Sequence, residues 1–408
     1  MKYIANYKSS LLLLLCIGIG GLVGIIFPES SVITYPVGSI YLNFLYVLVT
    51  PLIFFSVITA IISTKTVEKA KHILFLSMVT FLLFSLAASL IALLLGISLP
   101  SMVASDSNAI INTLPQINEK VDFTEKIIRM LSVKNLPELF QSENMIPLLL
   151  FSALAAASIR KLGNKAKLLK ELFSVITDLL YTMISTLMKF APIGFGCYFS
   201  YSIGQTGAAI LKNYAKIFLL FLLFSILFYF IFYSIVIYFS GGVAKVKLFW
   251  RFNTIPSLTA VATASSSACI PANLTACDQL GIDRDVSSTI IPLGANIHKD
   301  GATGASVLKI LLILELCNID YMNFSTLVLV ILTAILSGIV MGTVPGGGVS
   351  AAILMISIFN LPNEMMSIII LLSTVFDIPA TLLNSVGNIP SAMIVDRMIF
   401  RKRNSTVL

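Results

Sequence analysis

The sequence has little charge. Only 11% of its 408 residues are Asp, Glu, Lys or Arg, whereas 57% are hydrophobic and the mean hydropathy is +0.97. This composition excludes a soluble globular domain and indicates a polytopic membrane protein. The formal net charge of +8 comes from basic residues that cluster at the ends of apolar segments, as is typical of cytoplasmic loops. No soluble basic face is visible, so we expect no nucleic-acid partner.

Cysteine is also scarce. The five cysteines lie in or beside apolar stretches, at no spacing typical of metal ligands: Cys16, Cys197, Cys269, Cys277 and Cys317. We interpret them as reduced packing residues and expect neither a disulfide framework nor a zinc site. The first apolar run follows Lys8. We predict an uncleaved first helix there rather than a signal peptide, because no small-residue cleavage site clearly follows it.

Hydropathy over windows of one bilayer thickness predicts eight transmembrane helices. The predicted spans are 10–27, 39–63, 73–99, 144–160, 170–203, 214–240, 286–317 and 364–400. In this arrangement the basic clusters fall on one side, so we expect both termini in the cytoplasm and the protein in a prokaryotic inner membrane. The polar insertion 100–143 is the one long loop, and its segment 123–131 has the pattern of a short amphipathic helix.

Two further apolar segments do not fit a simple crossing. Small residues at 263–271 interrupt segment 249–280, and a Gly- and Pro-containing run at 342–349 interrupts segment 324–361. Apolar arms of about 12 to 20 residues around a break suit a re-entrant helical hairpin. The sequence therefore predicts an all-α fold of eight transmembrane helices plus two re-entrant hairpins. The alternative is two kinked ordinary spans. Broken segments at matching places in two halves indicate a transporter's midplane site.

Polar residues at predicted membrane depth mark the candidate site. His298-Lys299-Asp300 interrupts the seventh span just before Gly301, and charges at that depth are usually paired and functional. On the last span four polar residues share a helical face: Asp377, Thr381, Asn384 and Asn388. A carboxylate and amides on one face suit a zwitterion, with Asp377 accepting an ammonium. The alternatives are a structural ion pair for Asp377 and helix–helix hydrogen bonding for the whole face.

Six short motifs occur in order along nearly the whole chain. They are Thr50-Pro51-Leu52-Ile53-Phe54; Ala191-Pro192-Ile193-Gly194; Ser265-Ser266-Ser267 with Pro271; Pro292-Leu293-Gly294-Ala295 followed by Asp300-Gly301; Val344-Pro345-Gly346-Gly347-Gly348; and the set Asp377, Thr381, Asn384 and Gly387. Each motif alone is weak evidence. In this order they resemble the motifs of the dicarboxylate/amino acid:cation symporters, the glutamate transporter superfamily.

The resemblance implies a homotrimer in the lipid bilayer that moves its solute by an elevator motion. Residues 1–72 and 123–213 would form the scaffold and trimerisation helices. Residues 73–99 and 214–403 would form the transport domain, and residues 100–122 an extracellular loop. The expected function is secondary active transport of a small amino acid, without enzymatic activity and without a cofactor other than a possible bound sodium ion.

The resemblance also implies which residues form the sites. The substrate-binding set is Ser265, Ser266, Ser267, Thr303, Val344, Pro345, Gly346, Gly347, Asp377, Ala380, Thr381 and Asn384. The candidate metal set, for sodium, is Gly294, Asn296, His298, Asp300, Asn384 and Asn388. The glycines Gly346, Gly347 and Gly348 would form the outer gate.

The seventh-span motif departs from the family pattern Asn-Met-Asp-Gly-Thr, because this chain reads His298-Lys299-Asp300-Gly301-Ala302. The Lys299 ammonium would repel sodium nearby. We therefore hypothesise that Lys299 substitutes for one bound sodium and pairs with Asp300, which weakens or removes sodium coupling. Asn388, where the family usually has a sodium-binding aspartate, points the same way. The alternatives are that Lys299 snorkels away and serves packing, or that His298 carries protons.

No arginine is placed to bind a second carboxylate. Family members with acidic substrates carry one on the last span or at the first hairpin, where this chain has Ala380 and Ala264. This favours neutral amino acids, although Lys299 could supply a point charge for acidic ones. The runner-up function is a sodium-independent, proton-coupled or exchange carrier of acidic amino acids or dicarboxylates, but Asp377 would repel a dianion. An intramembrane hydrolase, with the serine run as nucleophile, belongs to a different class, as does a purely structural membrane protein.

Overall fold

The computed structural model describes residues 2–62, 68–98, 132–141, 144–206, 209–341, 347–362 and 365–404. Among these residues all regular structure is helical. The helices are α1 (Lys2–Ile26), α2 (Tyr35–Ile62), α3 (Glu68–Ser98), α4 (Leu136–Leu139), α5 (Met145–Lys161), α6 (Lys167–Leu187), α7 (Ala191–Thr206), α8 (Ala209–Ile226), α9 (Tyr233–Phe252), α10 (Thr254–Thr263), α11 (Ile270–Gln279), α12 (Arg284–Ile297), α13 (Asp300–Leu316), α14 (Phe324–Met341), α15 (Gly347–Phe359), α16 (Met365–Val386) and α17 (Asn388–Asn404). The predicted amphipathic helix 123–131 lies outside the described residues.

Four helical stretches among the described residues are long and apolar enough to cross a membrane. They are His72–Ser98, Tyr214–Phe252, Phe324–Met341 and Ile368–Ile399. Three of them coincide with predicted third, sixth and eighth spans, and the remaining one is the first arm of the predicted second hairpin. These helices support a multi-pass helical membrane protein, and the total of eight spans stays a prediction.

The described helices pack in two neighbourhoods. In the first, α1 packs against α7, and α2 packs against α5, α6 and α7. In the second, α13 packs against α3, α14 and α16. Residues 300–314 of α13 are buried on every side, as expected for the central helix of a bundle rather than an amphipathic surface helix. The predicted division into scaffold and transport domains assigns the two neighbourhoods to different domains, and that division stays a prediction.

The helices are interrupted where small or polar residues predict breaks. The first predicted hairpin consists of α10 and α11, two ten-residue helices separated by a turn in which Ala264 adopts a left-handed conformation, with φ 46°. Each helix is about 15 Å long, half the thickness of the hydrocarbon core, which favours a hairpin over an ordinary span. The seventh span is broken between Ile297 and Asp300, and the last span is broken at Gly387.

The sixth span also has two irregularities. A π-helical segment, Leu227–Phe232, precedes α9, and such segments often occur at functional sites. It is followed at once by Tyr233, which is fully buried. Further along, Gly241 and Gly242 depart from helical geometry, and Gly242 has φ 72°, a conformation that favours glycine. The predicted end of this span at residue 240 coincides with that kink.

Candidate functional site

The break in the seventh span is two residues long. His298 is extended at φ −97° and ψ 107°, and Lys299 follows with φ −135° and ψ 61°. The contacts show that the side chains of this break diverge. His298 lies against Asp300, whereas the Lys299 ammonium contacts Ala295 and Ser266. The break separates the three charged or titratable side chains into two clusters.

His298 and Asp300 form the first cluster, and both are fully buried. His298 Nε2 lies 2.9 Å from Asp300 Oδ1. The Tyr233 hydroxyl shares its one proton between Asp300 Oδ2, at 3.1 Å, and the Leu383 carbonyl, at 2.9 Å. The other ring nitrogen, Nδ1, lies 3.0 Å from Asn388 Oδ1. Phe81 stacks on the imidazole with a centroid distance of 4.4 Å. Each ring nitrogen thus lies within 3.0 Å of a side-chain oxygen of another residue.

Asn388 and Asn384 connect this cluster to the last span. The Asn388 amide donates to the Asn384 carbonyl at 3.1 Å, and the Ala302 N–H donates to Asn384 Oδ1 at 3.1 Å. Two glycines allow the close approach. A Cβ at Gly294 would overlap the Asn388 amide oxygen, and a Cβ at Gly387 would overlap the Tyr233 hydroxyl. The two broken spans therefore meet where their backbones carry no side chain.

Lys299 belongs to the second cluster. Its ammonium donates to the Ala295 carbonyl at 2.7 Å and to Ser266 Oγ at 3.1 Å. It also attracts the charge of Asp377. The predicted pairing of Lys299 with Asp300 is wrong, because His298 occupies that place and the break turns Lys299 away. The snorkelling alternative is also wrong, since the Lys299 side chain is only 4% exposed and its ammonium bonds within the protein.

Asp377 is the exposed member of the polar face on α16. It accepts a hydrogen bond from Thr381, one turn further along, and interacts with the charge of Lys299 without a direct ion pair. Thr381 and Ala380 are buried, at 4% and 6% exposure. Asp377 is therefore accessible together with its neighbour Ile378, while Ala380 and Thr381 of the same turn are packed inside. The last span thus brings Asp377 to the Lys299 cluster and Asn388 to the His298 cluster.

The serine run occupies the turn between α10 and α11. Ser266 is buried and accepts from Lys299, Ser265 Oγ accepts from the Ala268 N–H at 3.3 Å, and Ser267 is exposed. The Asn273 amide donates to the Ser385 carbonyl at 2.8 Å. This bond attaches the first hairpin to the last span close to the break at Gly387. The structure thus brings Ser266 together with Asp377, Thr381 and Asn384 around one junction.

The other predicted site residues have varied surroundings. Asn296 is exposed, and its amide donates to the Pro292 carbonyl at 2.9 Å, so it lies outside the buried cluster. Thr303 is buried on α13 one turn from Lys299, whose carbonyl accepts the Thr303 N–H at 2.8 Å, and it lies next to Gly338 of α14. Val344, Pro345 and Gly346 lie outside the described residues. Gly347 begins α15, and Gly348 approaches Ser373 of the last span.

The matches to known proteins agree with this architecture. The sodium:dicarboxylate symporter family matches residues 10–398. The chain belongs to this family. It is 24% identical to the proton/sodium-glutamate symport protein of Bacillus caldotenax over 395 residues, which cover 93% of this chain and 91% of the relative. It is 26% identical to the C4-dicarboxylate transport protein of Brucella anthropi over 394 residues, covering 94% of this chain and 87% of the relative.

As a member of the sodium:dicarboxylate symporter family, the chain is a membrane transporter and not an enzyme. The resemblance predicted from the six motifs is confirmed, and the hydrolase alternative is wrong. The Lys299–Ser266 contact is therefore not a nucleophile with its base.

His298 lies against several oxygen atoms of the predicted metal set. Sodium needs oxygen atoms that point at it. Asp300 Oδ1 lies 2.9 Å from His298 Nε2, and Asn388 Oδ1 lies 3.0 Å from His298 Nδ1. The Gly294 carbonyl accepts the His298 N–H at 2.9 Å. The histidine of this chain thus competes with a cation for three of the groups at which the sequence predicted sodium.

Two buried polar side chains were missed by sequence reasoning. Tyr233 looked like one more aromatic residue in an apolar span, and only the fold shows that it reaches Asp300. Lys309 is a second buried lysine, 1% exposed, whose ammonium donates to Ser373 Oγ at 2.8 Å. The signal for Lys309 was available, because it is a lone charge in the apolar run of α13.

Proposed function

We propose that this chain is a secondary active transporter of a small carboxylate-bearing solute across the cytoplasmic membrane, in which Lys299 replaces a bound sodium ion. One observation carries the proposal. The Lys299 ammonium is buried where a broken helix meets a hairpin tip, and it donates to the Ala295 carbonyl. Carbonyls at helix breaks are the oxygens that coordinate coupling cations in transporters. The Lys299 ammonium thus provides permanently the positive charge that a sodium ion would provide only while it is bound.

The names of the relatives support a carboxylate-bearing solute. They include glutamate and C4-dicarboxylates, and a small amino acid, the class predicted from the sequence, shares one carboxylate with both. The first hairpin tip offers the hydroxyls and backbone amides of Ser265 to Ser267 for that carboxylate. Small amino acids and C4-dicarboxylates differ in their second charged group, which is an ammonium in the first class and a carboxylate in the second. The specificity therefore depends on the group that faces Asp377.

The proposed transport cycle is an elevator motion in a homotrimer. Helices α3 and α8 to α17 would move as one body against a scaffold of α1, α2 and α5 to α7. The packing of α13 against α3, α14 and α16 supports such a body, as does the bond between Asn273 and the Ser385 carbonyl. The proposal includes an inner-membrane location with both termini in the cytoplasm.

Uptake into proteoliposomes tests the replacement of sodium. We expect wild-type uptake to be the same with an inward sodium gradient and with choline in place of sodium. Lys299→Met removes the fixed charge, so the variant should lose uptake or require sodium. Lys309→Met is the matched control, because it removes a buried lysine from the same broken span without touching the Ala295 carbonyl. Steep sodium dependence in the wild type that persists unchanged in Lys299→Met would contradict the proposal.

A further inference from the structure

Lys299 has the position of an internal ligand for the solute site. Its ammonium reaches Ser266 at the first hairpin tip, 3.1 Å away. It is also the charged group whose attraction acts on Asp377, among the residues that the structure describes. Asp377 itself is exposed and takes its hydrogen bond from Thr381. The exposed carboxylate of this polar face is thus balanced by an ammonium that belongs to the protein.

The charges at this junction therefore sum to zero before any solute binds. An ammonium-bearing solute would bring a second positive charge close to Lys299, and like charges repel strongly where the effective dielectric is low. A carboxylate meets the opposite situation. A lysine ammonium has three N–H donors, and among the residues that the structure describes Ser266 and Ala295 accept two of them. Within that part of the chain the third N–H is available to the Asp377 charge or to a solute carboxylate.

We infer that Lys299 determines the specificity of this transporter by occupying, beside Asp377, the position that the amino group of a solute would take. The solute is then a small dicarboxylate without an amino group, and amino acids are rejected. The inference rests on the proposed transport function and names its substrate class. It also removes the objection that Asp377 would repel a dianion, because Lys299 compensates the negative charge of that carboxylate.

Two probes that differ by one amino group test the inference: succinate and L-aspartate share a carbon skeleton and both carboxylates. Binding to the purified wild-type protein is measured by thermal shift and calorimetry, and uptake is measured in proteoliposomes. We expect succinate to bind more tightly than L-aspartate by about tenfold or more, because only aspartate places an ammonium against Lys299. This comparison needs no variant, so it stands even where a substitution impairs folding.

Two substitutions then assign the effect to a residue. Lys299→Met should reverse the preference, with gained affinity for L-aspartate and lost affinity for succinate, because Asp377 then lacks its cation. Lys309→Met removes an equally buried lysine whose ammonium bonds Ser373 instead, so this variant should keep the wild-type preference. Size-exclusion chromatography confirms that each variant is folded.

The possible outcomes separate the inference from the proposed function. Wild-type protein that takes up L-aspartate or a neutral amino acid in preference to succinate transports a solute, and overturns only the specificity role of Lys299. A preference for succinate that Lys299→Met leaves unchanged overturns it as well. Folded wild-type protein that takes up no carboxylate at all overturns the proposed function itself.

Discussion

Individual buried polar residues near the two broken spans are held by specific partners. A charge or hydroxyl at membrane depth is costly when it loses its partner, because no water replaces it. Asp300 is held by His298 on one oxygen and by Tyr233 on the other. Lys299 is held by a carbonyl and a hydroxyl. Removing one of these side chains therefore lowers stability mainly because its buried partner is left unpaired.

Tyr233→Phe tests this dependence with the smallest possible change. The substitution removes the hydroxyl that donates to Asp300 Oδ2 and leaves that oxygen buried with one donor fewer. We expect a loss of about 1–3 kcal/mol in stability, visible as a lower melting temperature in detergent. Tyr238→Phe is the matched control, since Tyr238 lies on the same helix and is 53% exposed. Equal melting temperatures for the two variants would contradict the assigned role of Tyr233.

Helices and their breaks were the most predictable level of this structure. Serine and proline at 263–271 and glycine after Asp300 predicted where helices stop, and the described helices stop there. The direction of Lys299 was not predictable from its neighbours. This direction is set by the backbone of the two residues in the break, His298 and Lys299. Residue spacing in a sequence does not indicate where such a short break directs each side chain. The contact between Tyr233 and Asp300 was equally hidden, because 67 residues separate them in the chain.

The break at Gly387 should tolerate no side chain. A Cβ there would overlap the Tyr233 hydroxyl and crowd Asp300 Oδ2. Gly387→Ala is therefore expected to lower stability by about 1–3 kcal/mol through overpacking, and to reduce uptake. Gly18→Ala in α1 is the control, because a Cβ there meets open space and alanine favours a helix. The steric account fails if Gly387→Ala melts at or above the temperature of the wild type.

At the scale of the whole molecule, the two neighbourhoods of helices meet through several helix pairs, and a small apolar contact lies where α1 and α7 meet α16. Phe199 of α7 and Ile370 of α16 line one narrow cavity there, together with Ile17 of α1. Apolar side chains without hydrogen bonds can slide past one another more readily than paired polar groups. The position of this contact between the proposed scaffold and the proposed moving body makes it the place where an elevator displacement is detectable.

A cross-link across this contact tests the motion directly. Cysteines placed at Phe199 and Ile370, in a variant without the five native cysteines, can be joined by mercury ions. Because the link fixes α16 against α7, we expect uptake to be abolished while succinate still raises the melting temperature through binding. Each single-cysteine variant, treated identically, should keep its uptake, and a thiol reductant should restore uptake to the cross-linked pair. Cross-linked protein that transports at its untreated rate would show that the two neighbourhoods do not move past each other during transport.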